Sequence, residues 1–311
     1  MFQSIWEDLK MQYRAGNMVT RIILVNLAFF VGIMLIKLTL SIAIDHSFPS
    51  TTYENYLAPF LELPSDFVKM LTRPWTLFTH MFMHYGLFHF IFNMLWLYWF
   101  GRIVGDLIGD RKVLPIYLLS GLASAALFML VAFFDTAFAI GGSAIGASGA
   151  VFGLTIAAAA VAPDYIIRLL FLGNVRLKYI ALAAILLQLV ALTANSNAGG
   201  TFGHIGGIFM GYFFVVQLRR GNDLSRPVNR ISDKISGLFS GASRRKPKVV
   251  YRNPGRTQTR RTNLRDVNKK NSPESMSDEA KLDIILEKIK SKGMQSLSEE
   301  EKEFLLKASK K

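Results

Sequence analysis

Apolar residues along the chain gather into six stretches, roughly 22–44, 78–100, 113–134, 147–162, 178–194 and 203–218, divided by short polar connections. Most approach the ~20 residues that a helix rising ~1.5 Å per residue needs to cross ~30 Å of hydrocarbon. The last three are shorter, as helices shielded by other helices can be. Six such runs leave too little polar surface for a soluble helical core, so the pattern predicts an all-α polytopic membrane protein. Beyond residue 218 it changes. Residues 219–275 are poor in apolar side chains and read as a disordered linker. Helical spacing then returns: Leu282, Ile285, Leu286 and Ile289 mark one short helix, and Ser298 with Glu301 makes a capping box ahead of Phe304 and Leu305. The expected organisation is an N-terminal segment over 1–20, a six-span domain over 21–218, a linker over 219–275 and a helical hairpin over 276–311. In the N-terminal segment Phe2, Ile5, Trp6 and Leu9 have the spacing of a helix lying on a membrane, although a polar leader fits as well. The first stretch is long and carries Lys37 near its end, which favours a retained span over a leader cleaved near Ser41-Ile42-Ala43.

Charge sharpens the division. The chain has 311 residues, a formal charge of +14, 51% hydrophobic residues and a mean hydropathy of +0.30. Residues 1–218 are nearly neutral at +2, residues 219–270 carry +13, and residues 271–311 carry −1. The basic excess is therefore a juxtamembrane stretch and not a property of the apolar body. Its single Tyr and its position directly after a span favour anionic lipid headgroups over nucleic acid as the partner. By the bias of Lys and Arg toward the cytoplasmic side, the segments 1–21, 101–112 and 163–178 and the tail lie inside, while the acidic loop 45–73 lies outside. Both termini are then cytoplasmic. A chain without a processed leader or transit peptide points to a bacterial inner membrane.

Three polar clusters fall within the apolar runs, where such groups are costly and are functional candidates. Gly146-Ala147-Ser148-Gly149 opens the fourth run and Gly203-His204-Ile205-Gly206-Gly207 lies in the sixth. Gly149, Gly153 and Ala157 form a small-residue stripe on one, and Gly203, Gly207 and Gly211 on the other, so the two backbones can approach closely. Ser148 and His204 would then meet as nucleophile and base. In the second run His89 and Asn93 are four apart and share a helix face. With the Ser148 amide they could cradle an oxyanion. His80 and His84 share the same spacing, but no acid or H-E-x-x-H accompanies them, so no metal is expected. With no Cys, a thiol nucleophile is excluded. No cofactor is implied.

These residues together resemble the rhomboid family of intramembrane serine proteases. The likeness is carried by His80, His84, His89 and Asn93, by Gly146 to Gly149, by Gly203 to Gly207, and by Arg73-Pro74-Trp75 ahead of the second run. It covers about residues 20–218 and is nearest to the bacterial six-span form. The resemblance implies a six-helix bundle with a cytoplasmic tail and a Ser148–His204 dyad without a third acid. His89, Asn93 and the Ser148 amide would hold the oxyanion. It further implies that Phe152 packs on the base, that His84 steadies the loops, and that the substrates are transmembrane segments of other proteins. A catalytically silent rhomboid-like binder of such segments and a transporter are the competing classes. The first would normally lack Ser148 or His204, and no inverted repeat or charged pathway supports the second.

Overall fold

The computed structural model describes residues 11, 16–44, 57–134, 140–169, 173–194, 197–239 and 278–308. The chain divides into two compact units, Met1–Ser243 and Arg244–Lys311. The N-terminal Phe2, Ile5, Trp6 and Leu9 pattern and most of the basic linker lie outside the described residues.

The first unit opens with α1 (Met18–Ile44). Three short helices follow, α2 (Ala58–Leu61), α3 (Phe67–Thr72) and α4 (Thr76–Thr79), and then a 3-10 turn at His80–Phe82. The long helices α5 (Leu87–Ile108) and α6 (Val113–Phe134) are joined by a 3-10 turn at Asp110–Lys112, and the shorter α7 (Ser148–Val161), α8 (Leu177–Thr193) and the long α9 (Ala198–Arg219) complete the bundle. Four segments, Met18–Thr39, Leu87–Ile108, Asp110–Phe134 and Ala198–Arg219, are long and apolar enough to cross a membrane. Helices α7 and α8 are apolar but shorter. The fold is thus mostly helical and fitted to a membrane.

Four details depart from the sequence expectation. The second apolar run does not become a helix at 78. The chain makes a 3-10 turn and an open segment, and α5 starts only after Gly86, whose φ of −141° and ψ of 161° are extended. At its far end α5 runs on past residue 100 through Arg102 and Asp106 to Ile108, because long polar side chains can reach water from a helix end. Secondly, the unit is not purely α. Strands β1 (Leu63–Pro64) and β2 (Ser143–Ala144) pair antiparallel, as do β3 (Ile166–Leu169) and β4 (Gly173–Arg176), where Ile166, Ile167 and Val175 favour strand and Gly173 has a positive φ of 71°. Thirdly, the linker is not disordered throughout. Ser225–Phe239 forms a helix, α10, because Val228, Ile231, Ile235 and Leu238 recur at helical spacing within a basic composition. Lastly, the Gly-bearing segment before the sixth run is already helical from Ala198, with Asn197 Oδ1 accepting from Gly200 N at 3.1 Å as its cap.

The bundle core lies around α7, which buries ten of its fourteen residues. Packed around it are Leu97 and Phe100 of α5, Ile116 and Tyr117 of α6, and Phe214 of α9. This enclosure explains how so short an apolar helix persists: protein replaces lipid over most of its surface. The Tyr117 hydroxyl donates to Met81 O at 3.0 Å, tying the 3-10 turn to the core. At the opposite end of the bundle Asp110 accepts from Met18 N at 2.8 Å, so a carboxylate meets the N-terminus of α1.

In the second unit α11 (Asp278–Lys292) and α12 (Glu299–Ala308) are joined by a 3-10 turn at Met294–Ser296. Glu301 accepts from Ser298 N at 2.8 Å while Ser298 Oγ accepts from Glu301 N at 3.3 Å, a reciprocal cap for α12. Glu301 also pairs with Lys288 at 2.7 Å, and Ile285 and Leu297 are buried between the helices.

Candidate active site

Ser148 is the first residue of α7 and His204 lies in the second turn of α9. Glycines bring these helices together. A Cβ built on Gly207 would lie 2.0 Å from Gly149 O, and one on Gly211 would lie 2.1 Å from Gly153 O. Only bare backbone fits there. The approach places Ser148 Oγ 2.7 Å from His204 Nε2. Gly149 also faces α6, where its missing Cβ leaves room for the Ser124 side chain.

The other ring nitrogen is engaged as well. His204 Nδ1 lies 2.7 Å from Oε1 of Gln188 on α8. An amide oxygen can only accept, so Nδ1 carries the hydrogen and Nε2 keeps the lone pair that accepts from the serine hydroxyl. Gln188 was not singled out from the sequence. Its signal was present: it is the single amide in the apolar run Leu177–Thr193, and an intramembrane polar side chain is a candidate by default. Phe152, one turn along α7, lies with its ring centroid 4.7 Å from that of His204 at 36°, closing one side of the imidazole.

His89 approaches from α5. Gly146, at φ +113°, sits against its ring: a Cβ there would be 3.1 Å from His89 Nε2 and 3.6 Å from Ser148 Oγ. A point between the histidine and the serine hydroxyl is thus kept clear by a glycine. Asn93 donates to His89 O at 2.8 Å, which uses one of its two amide hydrogens. His80 is buried; its Nδ1 meets Thr76 O at 2.9 Å and its carbonyl accepts from Gly146 N at 2.9 Å, so it ties the first loop to the serine loop. His84 is buried with its ring 5.2 Å from that of His89, edge on, and among the described residues neither of its nitrogens has a hydrogen-bond partner. No group of His, Cys, Asp and Glu suited to a metal occurs among the described residues.

The first loop is fastened to the same place. Arg73 donates to Pro59 O at 2.7 Å and stacks over Phe60, and Trp75 Nε1 donates to Phe60 O at 2.7 Å. The buried Glu62 accepts from Tyr85 Oη at 2.9 Å and from Ser143 Oγ, while β1 pairs with β2 just ahead of Gly146.

Two cavities meet at Ser148. One, of about 450 Å³, is polar and lined by His89, Asn93, Ser124, Ser143, Asn197 and His204. The other, of about 520 Å³, is apolar and lies between α5, α7 and α8, lined by Phe92, Trp96, Val151, Phe152, Leu187 and Gln188. Ser148 and Asn93 border both.

A serine hydroxyl hydrogen-bonded to an imidazole, both carried on packed apolar helices, defines a membrane-type helical bundle with a candidate nucleophile–base pair inside it. Residues 71–221 match the Rhomboid domain, so this part of the membrane unit is similar to the rhomboid family. Residues 266–311 match a family of unknown function, DUF6576. Rhomboid protease GlpG from Salmonella newport and from Salmonella typhi are each 42% identical over 50 residues. That alignment takes in 16% of this chain and 18% of either relative's length.

Proposed function

We propose that this protein is an intramembrane serine endopeptidase. The observation that carries the reading is the hydrogen-bonded series Ser148–His204–Gln188, with Ser148 at the junction of a polar and an apolar cavity. Ser148 Oγ attacks the scissile carbonyl as its proton passes to His204 Nε2. The tetrahedral oxyanion forms beside the clear space at Gly146, within reach of His89, the second Asn93 hydrogen and the Ser148 amide at the start of α7. Collapse expels the amine, which takes the proton back from His204. Water from the polar cavity then repeats the sequence on the acyl-serine. Gln188 holds the imidazole in the tautomer that both half-reactions need, and its neutral carbonyl dipole does for the imidazolium a weaker version of what a carboxylate would do.

The apolar cavity suits the segment to be cut. It is lined by aromatic and aliphatic side chains and opens between helices, so the substrate class is a transmembrane segment of another protein, locally unwound to present its peptide bond. Six crossings, with α7 and α8 as the short ones, both termini in the cytoplasm and residence in a bacterial inner membrane complete the proposal; the loop charges support them. Labelling of the purified protein by a fluorophosphonate probe tests the reading. A Ser148 adduct lost in Ser148→Ala and in His204→Ala is expected. Equal labelling of all three proteins, or none of wild type, overturns it in favour of a segment-binding or transport protein.

A further inference from the structure

We propose that α10 (Ser225–Phe239) is a membrane-surface helix whose occupant is the anionic lipid of the leaflet at the α5–α6 end of the bundle. At 100° per residue its side chains sort into three arcs. Ser225, Asn229 and Asp233 fall on one side. Arg226, Arg230 and Lys234 occupy the next. Pro227, Val228, Ile231, Ile235 and Leu238 form the third, roughly 120° wide. The first arc is used. Lys112, in the turn between α5 and α6, pairs with Asp223 and donates to Ser225 Oγ at 2.9 Å. Asn229 donates to Arg111 O at 3.0 Å, and Arg111 pairs with Asp233 at 2.6 Å. Ser225 is 1% exposed, so the helix start is seated in the bundle.

These contacts recur over two turns, which holds α10 along the α5–α6 connection. The rotation about its axis is thereby set; Val228 is half-buried, and the rest of the apolar arc is left largely without protein cover: Ile231 is 59% exposed, Ile235 50% and Leu238 83%. Arg226, although 3.8 Å from Asp223, is 70% exposed. The chain leaves the apolar helix α9 at Arg219, turns at Gly221 with φ +86°, and enters α10 within a few residues. The uncovered apolar arc therefore begins at the level where a membrane-crossing helix ends, and the arc beside it is cationic. Apolar side chains placed at headgroup depth with a cationic flank fit an anionic bilayer surface. A second protein copy would require an acidic complement to that flank, and among the described residues of α10 the one acid, Asp233, lies on the seated side and is paired with Arg111.

The chain has no Cys, so single labelling sites are clean. The full-length protein carrying one spin label at Ile231→Cys, Ser232→Cys, Ile235→Cys, Ser236→Cys or Leu238→Cys is reconstituted into phosphatidylcholine vesicles with and without phosphatidylglycerol. The expected oxygen-to-nickel accessibility ratio is high at Ile231, Ile235 and Leu238, low at Ser232 and Ser236, and the contrast grows with phosphatidylglycerol. Uniform water accessibility at all five sites overturns the proposal. So does a contrast indifferent to phosphatidylglycerol, or spin–spin broadening at the apolar sites that vanishes on dilution with unlabelled protein, which identifies a second copy as the cover.

Discussion

Replacing Gln188 by Met keeps the length of the side chain, makes it apolar and removes the acceptor for His204 Nδ1. The separation of 2.7 Å lies at the short end of the N–H···O range. Such a bond contributes roughly 1 kcal/mol to a neutral imidazole and about 1.5–3 kcal/mol to a charged one. Only the difference accelerates the reaction, about 0.5–2 kcal/mol, or roughly 2- to 30-fold. Loss of tautomer control adds to this, since a hydrogen on Nε2 removes the base altogether, and brings the expected fall in the rate constant to roughly 10- to 100-fold. The assay is the rate of fluorophosphonate labelling in proteoliposomes, alongside cleavage of a model transmembrane substrate with kcat and KM separated. The loss is expected in kcat, with KM within about twofold because uniform binding is untouched. Gln188→Glu, which keeps an acceptor at the same reach, should recover most of the rate. A Gln188→Met protein as fast as wild type would refute the positioning role. A loss confined to KM would instead make Gln188 a wall of the apolar cavity.

Gly146→Ala forces a φ of +113° on an L-residue and sets a methyl 3.0–3.1 Å from the His89 ring, so labelling should fall at least tenfold while the protein still purifies as a folded species by circular dichroism. Gly207→Ala drives a methyl into Gly149 O, and overpacking against backbone costs about 1–3 kcal/mol; a thermal midpoint lowered by several degrees and slower labelling are expected, whereas Gly32→Ala, with nothing within 4 Å of the new methyl, leaves both unchanged. The seat of α10 should depend on acid. Partial burial acts to raise Asp223, but hydrogen bonds from Lys112 and Ser225 outweigh it and hold the carboxyl down from 3.8 to about 2. A depressed carboxyl stabilises the folded contact above its unfolded pKa, and that stabilisation is lost as pH falls from about 4 to about 2. Spin labels on α10 should gain mobility over that window, and Asp223→Asn should show the gain already at neutral pH.

The features legible in the sequence were those carried by repetition or by rarity. Apolar runs located the bundle, and the glycine stripes pointed to a close contact between two helices, which Gly207 and Gly149 make. What escaped depended on relations that spacing does not encode. The start of α5 hinges on Tyr85-Gly86 leaving helical geometry inside an apolar run, and hydropathy is blind to backbone conformation. α10 was submerged by averaging: a long basic window reads as disordered although its first third has a 3.6-residue apolar rhythm. Glu62 reads as one more acid of an outer loop, yet it is buried and joins Tyr85 to Ser143. The approach of Gln188 to His204 depends on the relative rotation of α8 and α9 about their axes, which neither helix specifies alone.

That last contact has a consequence for how the site is held. Ser148 and His204 stand on helices joined backbone to backbone; α7 buries ten residues and α9 eight. The orienting amide stands on α8, which buries only Leu177, Ala181 and Ala184 and leaves Leu182, Leu186 and Val190 exposed. The nucleophile–base distance is thus fixed by the closely packed pair, while the tautomer of the base is set by a more loosely packed helix. The apolar cavity that reaches Ser148 is bounded by that same helix. If α8 shifts outward to admit a bulky segment, it carries Gln188 away from Nδ1 and leaves the imidazole free to take the wrong tautomer. Under the proposed function, cleavage then requires α8 to return, or the segment to enter along its side without displacing Gln188. In either case a segment that merely wedges the cavity open meets a serine without an oriented base, and a segment that unwinds enough to let α8 close meets the complete site. On the proposed function, selection between the two rests on one hydrogen bond between a tightly packed helix and a loosely packed one.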